Sequence, residues 1–166
     1  MFKLKPISKE AIPAAFEKAV HYRLRGEPVE AESICLDILE VDPENQEALV
    51  TMLLAVTDQF DGRMAVTVPR AEEILSRIRD AYTRAYYAGV IWERQAKARL
   101  KRGLPGAGDA AYSDFLKAMD YYDKAEKIRP RGNDSAILRW NTCARVIMRE
   151  PEVAPKSEES REEMLE

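Results

Sequence analysis

The sequence predicts an all-α fold, a stack of antiparallel helical hairpins with about seven helices. Three observations predict it. Ala, Leu, Glu, Arg and Lys are abundant while clustered runs of Val, Ile and Thr are missing, so composition favours helix over strand. Apolar residues return at three- and four-residue steps in one segment after another. Helix-breaking residues fall between those segments, at Gly26, Asp42-Pro43, Pro69 and Gly103 to Gly108.

Each element follows from these signals. Ser8 is placed to cap a first helix reaching about Arg25, with Ala15, Ala19 and Tyr22 on one face. Gly26 ends it, and Pro28 suits the first turn of a second helix that carries Ala31, Ile34, Cys35, Ile38 and Leu39 and stops at Asp42-Pro43. So tight a turn makes the two helices antiparallel. Asn45 is a cap for a third helix through Phe60, on which Leu49, Met52, Leu53 and Val56 share a face. Asp61 to Val68 reads as a loop, and Pro69 opens a fourth helix with Ala71, Ile74, Leu75 and Ile78 buried. Asp80 is a cap for a long fifth helix that nothing breaks before Gly103. After the GLPGAG turn, a sixth helix carries Tyr112, Phe115, Ala118, Met119, Tyr122 and Ala125 up to Pro130. The last, capped near Asn133, uses Ile137, Trp140, Ala144 and Ile147, with Trp140 as its main plug.

Length allows one domain with a real core, taken as residues 1 to 150. Residues 151 to 166, PEVAPKSEESREEMLE, are acidic, proline-broken and poor in bulky apolar groups, the composition of a disordered tail. No stretch at the start serves as a signal peptide and no run approaches the ~20 apolar residues of a membrane helix, so a cytoplasmic location is expected. Cys35 and Cys143 lack metal-ligand spacing and lie in apolar helical patterns, as reduced core residues do.

The net charge of -3 hides a division along the chain. Residues 1 to 62 hold 6 basic and 12 acidic side chains, 63 to 102 hold 10 and 4, and 103 to 166 hold 10 and 13. Either an interaction surface or a solvated face balanced by its neighbours accounts for the basic middle. Chemistry is harder to find. His21 is the only histidine, which excludes histidine-rich metal sites. GLPGAG lacks the Lys-Ser or Lys-Thr of a phosphate loop. Asn133-Asp134-Ser135 fits a glycosylation triplet but also a helix cap. Acidic residues are not spaced as a calcium loop. No enzyme, metal site or cofactor is predicted.

Self-comparison is more informative. Ala31, Cys35, Ile38 and Pro43 stand at intervals that Ala118, Tyr122, Ala125 and Pro130 repeat. This pattern resembles the second helix of a tetratricopeptide (TPR) repeat, where a small residue admits a close neighbour and a proline ends the helix. Gly26 and the Asp42-Pro43-Glu44-Asn45 junction fit the same family. The first-helix signature is met by Ala15, Lys18, Ala19 and Tyr22, by Leu49, Met52, Leu53 and Val56, and best by Ala85, Ala88, Gly89 and Trp92. The middle unit departs: Ala71, Leu75 and Ile78 keep the spacing but Thr83 stands at the proline position. The alanines 31, 71 and 118 are more widely spaced than the family's ~34 residues.

The resemblance covers about residues 12 to 150 and implies a right-handed superhelical stack of about three irregular repeats plus a capping helix. It implies a non-enzymatic scaffold or adaptor that binds a partner peptide or helix in a concave groove lined by the first helix of each repeat. Carried over by position, that lining is Phe16, Val20 and Arg23, then Val50, Leu54 and Thr57, then Tyr86, Val90, Glu93 and Arg94. Mostly apolar, it suits a helix or hydrophobic segment. Phe16 and Val20 supply none of the lysine or asparagine with which one subclass grips acidic chaperone tails. Two alternatives stand beside this reading. Arg94, Lys97, Arg99, Lys101 and Arg102, with Tyr86, Tyr87 and Trp92 upstream, are a candidate nucleic-acid surface. Self-association through Tyr86 or Tyr87 and the groove would make a homo-oligomer.

Overall fold

The computed structural model describes residues 1–62 and 67–156. The described residues form seven α-helices and one 3-10 turn, with no strand. The helices are α1 (Ile12–Leu24), α2 (Pro28–Val41), α3 (Gln46–Thr57), α4 (Val68–Ser76), α5 (Ala81–Arg102), α6 (Ala107–Lys127) and α7 (Ser135–Arg149). The all-helical hairpin fold read from the sequence is thus present. Contacts gather into two compact units, Met1–Asp80 and Ala81–Glu166.

In the first unit α1 packs on α2, α2 on α3 and α3 on α4, and α1 also touches α3. Gly26, at φ +77, makes the α1–α2 turn in the left-handed region where a Cβ is strained. Asn45 caps α3 as its sequence position suggests, its side-chain oxygen accepting from the Ala48 N–H at 2.9 Å. Ser8 does not cap α1. It precedes a 3-10 turn at Lys9–Ala11 and makes no side-chain cap bond, and the α-helix begins at Ile12 with Pro13 in its first turn. Proline has no N–H and clashes with the carbonyl four residues back, so a continuous helix from Ser8 could not pass through Pro13. Ala31, Cys35, Ile38, Leu49, Leu53, Val56 and Ala71 form the centre of this unit, all fully enclosed. Of the expected loop, residues 63–66 lie outside the described residues, and Val68 already belongs to α4.

In the second unit α5 and α6 form a long hairpin and α7 packs on α6. Gly103 and Gly106 hold positive φ at the α5–α6 turn. The fully buried set Ala96, Ala111, Phe115, Ala118, Tyr122, Ala125, Ala136 and Cys143 includes every residue of the repeated Ala118, Tyr122, Ala125 pattern except its terminal proline. Trp140, expected as the plug of α7, is half-buried. Beyond α7, in the stretch read as tail, Val153 is 2% exposed and the Lys156 N–H donates to Asp109 at 2.8 Å, so residues 151–156 lie against the start of α6. Residues 157–166 lie outside the described residues.

Candidate functional site

In the first unit, two helices present a shared face. Arg23 at the end of α1 pairs with Asp58, the residue that closes α3, at 2.8 Å. The pair joins the C-terminal ends of two helices that run the same way, since the chain reverses twice between them, before and after α2. With equal rise along both helices, this register sets Val20 at the level of Leu54 and Phe16 at the level of Val50. Val20 and Phe16 stand three and seven residues before Arg23, Leu54 and Val50 four and eight before Asp58, so each set lies on the stripe that carries the ion pair. All four are half-buried. Thr57 is different: at 3% exposure its hydroxyl donates back to the Leu54 carbonyl at 3.0 Å, and it offers nothing to a ligand.

In the second unit two of the four expected lining residues on α5 turn inward. Val90 and Glu93 are both fully buried, Tyr86 and Arg94 half-buried. Val90 and Glu93 therefore do not line an open face, and Glu93 is held by side chains of α6 and α7. Glu93 is the hub of a polar network. Tyr122 on α6 donates its hydroxyl to the carboxylate at 2.6 Å, Arg139 on α7 donates to it at 3.1 Å, and Lys97, one turn along α5, donates as well. Arg139 also reaches the Tyr86 hydroxyl at 3.4 Å.

Burial by itself would raise the Glu93 carboxyl, but the hydrogen bonds from Lys97 and Tyr122 and the charge of Arg139 outweigh it and hold the group below its ordinary range. Tyr122 is pushed far upward, first by burial and then by the Glu93 charge. Glu93 is thus a carboxylate and Tyr122 a neutral donor at neutral pH. Such a fully partnered cluster holds three helices together and leaves no lone pair aimed at solvent.

The cations proposed for a nucleic-acid surface are partly spoken for. Lys97 is held by Glu93, and Arg99 pairs at 2.6 Å with Asp114, which is 3% exposed. Among the aromatics, Tyr86 stacks with Tyr82 at 6.0 Å between centroids and meets Tyr87 edge-on at 5.1 Å, while Trp92 lies under the Lys117 ammonium at 4.1 Å. These rings are occupied by neighbours on α5 and α6.

His21 is exposed, while Cys35 and Cys143 are buried free thiols, each raised to about 12 chiefly by burial. Protonated thiols at neutral pH are poor nucleophiles. Among the described residues no group of three or more His, Cys, Asp or Glu is placed to hold a metal ion, and no helix is long and apolar enough to cross a membrane.

The TPR resemblance placed Glu93 in the groove lining by its position on the fifth helix, whereas it is fully buried. A signal was present in its neighbours: Gly89 and Ala96 stand one turn before and after it, and small residues on one face admit a close helix. No family model, curated protein or solved structure matches this chain.

Proposed function

We propose that the chain is a non-enzymatic protein-interaction module of the TPR-like kind, working in the cytoplasm as a scaffold or adaptor, and that its partner lies on the α1–α3 face. One observation carries this reading: two parallel helices bear half-exposed apolar stripes, Phe16 and Val20 beside Val50 and Leu54, closed at one end by the Arg23–Asp58 pair. An apolar row that wide gains roughly 25 cal/mol per Å² when a partner covers it, and a charged pair at its end sets direction more than affinity. The partner chemistry that fits is an apolar helix or extended segment. The buried, unreactive thiols accord with a reducing compartment.

Buried Val90 and Glu93 drop out of any open surface, while Tyr86 and Arg94 stay half-buried on α5. The Glu93 network belongs to the interior of the second unit and gives it rigidity.

Affinity capture from the native host with wild-type chain and with a Phe16→Glu, Leu54→Glu double variant tests the proposal, the variant first checked to keep its helix content. Partners retained by the wild type and lost by the variant support it. An unchanged set of partners would place the binding surface elsewhere.

A further inference from the structure

In the second unit α5 and α7 run the same way, because the chain reverses before and after α6. Three side-chain bonds join them directly. The Tyr82 hydroxyl donates to Asn133 at 3.2 Å, and Arg139 donates to the Tyr86 hydroxyl at 3.4 Å and to the Glu93 carboxylate at 3.1 Å. A seam between two parallel helices results, and its charge is one-sided. α5 carries six basic residues and α7 three, against a single acidic residue, Glu93, which is fully buried. α6, packed against both, carries three basic and five acidic. No carboxylate of α5 or α7 therefore reaches the surface.

Two of those cations converge on one atom. Lys97 on α5 and Arg139 on α7 both donate to Oε1 of Glu93, and their side chains remain 46% and 32% exposed. Sharing one oxygen, the two nitrogens stand near enough for a single carboxylate to bridge them from outside. Glu93 cancels only one of the two charges, and donors are left over. An ammonium has three N–H groups and a guanidinium five, of which Glu93 and Tyr86 take one from Lys97 and two from Arg139. The buried carboxylate also fixes where the cations stand, so a ligand does not have to order them. Thr142, three residues beyond Arg139 on the same side of α7, is exposed.

From this geometry we infer that the α5–α7 seam binds an acidic segment of a partner protein, one of whose carboxylates bridges Lys97 and Arg139, with Glu93 as the positioning residue beneath them. A polypeptide fits better than a nucleic acid. Binding a single strand draws on aromatic platforms. Here Tyr82, Tyr86 and Tyr87 pack on one another, and Trp92 lies under Lys117. What the seam offers instead is one planar guanidinium fork and one ammonium, the pair that a carboxylate takes up. The seam belongs to the second unit, and the inference stands independently of the apolar partner proposed for the α1–α3 face.

Fluorescence anisotropy of a short labelled peptide of alternating glutamate and serine, titrated with the full-length chain, tests the seam. Wild type should bind it with a micromolar Kd at low salt and several-fold more weakly at moderate salt. Lys97→Gln keeps an N–H for Glu93 but drops the charge, and Thr142→Glu sets a carboxylate of the chain's own beside Arg139. Each should raise Kd by ~tenfold or more. Lys127→Glu makes a larger change in net charge on the exposed surface of α6 and should alter Kd by less than ~twofold. Circular dichroism and thermal unfolding first establish that each variant keeps its fold, and Thr142→Glu, which lies outside the Glu93 network, carries the test if Lys97→Gln does not fold. No binding by wild type at low salt overturns the inference, as does a loss in Lys127→Glu equal to that of the seam variants. Tighter binding of a single-stranded oligonucleotide of equal charge overturns it too. So does a dimer, read by light scattering, that is lost in Thr142→Glu, since that would give the seam to a second copy.

Discussion

The Tyr122 hydroxyl on α6 donates to the Glu93 carboxylate on α5 at 2.6 Å, and both side chains are fully buried. One bond spans the longest hairpin of the chain, and Arg139 ties α7 to the same carboxylate at 3.1 Å. The two ends of this bond are unequal. Tyr122→Phe removes one donor while Lys97 and Arg139 still serve Glu93, so unfolding free energy should fall by about 1–3 kcal/mol. Glu93→Ala strands the buried hydroxyl and the guanidinium together and should cost about 3–5 kcal/mol. Chemical denaturation of the two variants measures both. A Glu93→Ala loss no larger than the Tyr122→Phe loss would show that the carboxylate is not the hub.

Acid should act through the same residue. Glu93 is held below the ordinary carboxyl range in the folded chain, against about 4.3 when unfolded. A group depressed by folding contributes its stability above the unfolded value and loses it as pH falls through the folded one. Wild type should therefore lose stability as pH falls below about 5, and Glu93→Gln, less stable at pH 7, should show a shallower slope there. Denaturation midpoints at a series of pH values report the slope. Equal slopes in the two proteins would assign the acid sensitivity to other carboxylates.

Gly89, one turn before Glu93, leaves room on α5 for the Tyr122 ring of α6. A Cβ built there would overlap the Tyr122 ring. That ring is enclosed and its hydroxyl is held by Glu93, so it cannot swing aside. Ala is ordinarily better than Gly in a helix by about 1 kcal/mol. Here Gly89→Ala should nonetheless destabilise, by about 1–3 kcal/mol of overpacking. In a Tyr122→Leu background the ring is gone and the same substitution should become neutral or favourable. Thermal unfolding of the four proteins in this cycle settles the coupling, and a Gly89→Ala penalty that survives Tyr122→Leu would place the clash elsewhere.

What was legible in the sequence was local. Gly26, Asn45, Pro69 and Gly103 act where they stand, through φ, a cap or a missing N–H, and each lies at the boundary its chemistry predicts. The alanines at 31 and 118 are fully buried, since small residues at helix crossings are set by spacing along one helix. Glu93 was not legible in this way. Its partner Tyr122 is 29 residues away and Arg139 is 46, and no short-range pattern shows that a carboxylate will meet a hydroxyl and a guanidinium at such distances. The α1–α3 face lies between these cases. Phe16, Val20, Val50 and Leu54 follow from helix position, but their common level rests on Arg23 and Asp58, a pairing that periodicity does not reveal.

Composition also concealed how residues 151–156 are held. Val153 is buried there, its N–H donating to the Glu150 carbonyl at 2.9 Å, and Lys156 is tied to Asp109 through its backbone N–H. Gly108 makes room for this segment, since a Cβ at 108 would run into the backbone carbonyl of Glu152. Backbone cannot rotate away as a side chain can, so Gly108→Ala should lift the segment while leaving α5 and α6 paired. Hydrogen exchange should then show lost protection at the Val153 and Lys156 amides with the α5 and α6 amides unchanged, and trypsin should cut after Arg149 faster than in wild type. Asp109→Ala removes only the Lys156 tether and should expose that amide while Val153 stays protected. Protection at Val153 that survives Gly108→Ala would mean the segment is held by its own turn and not by its seat on α6.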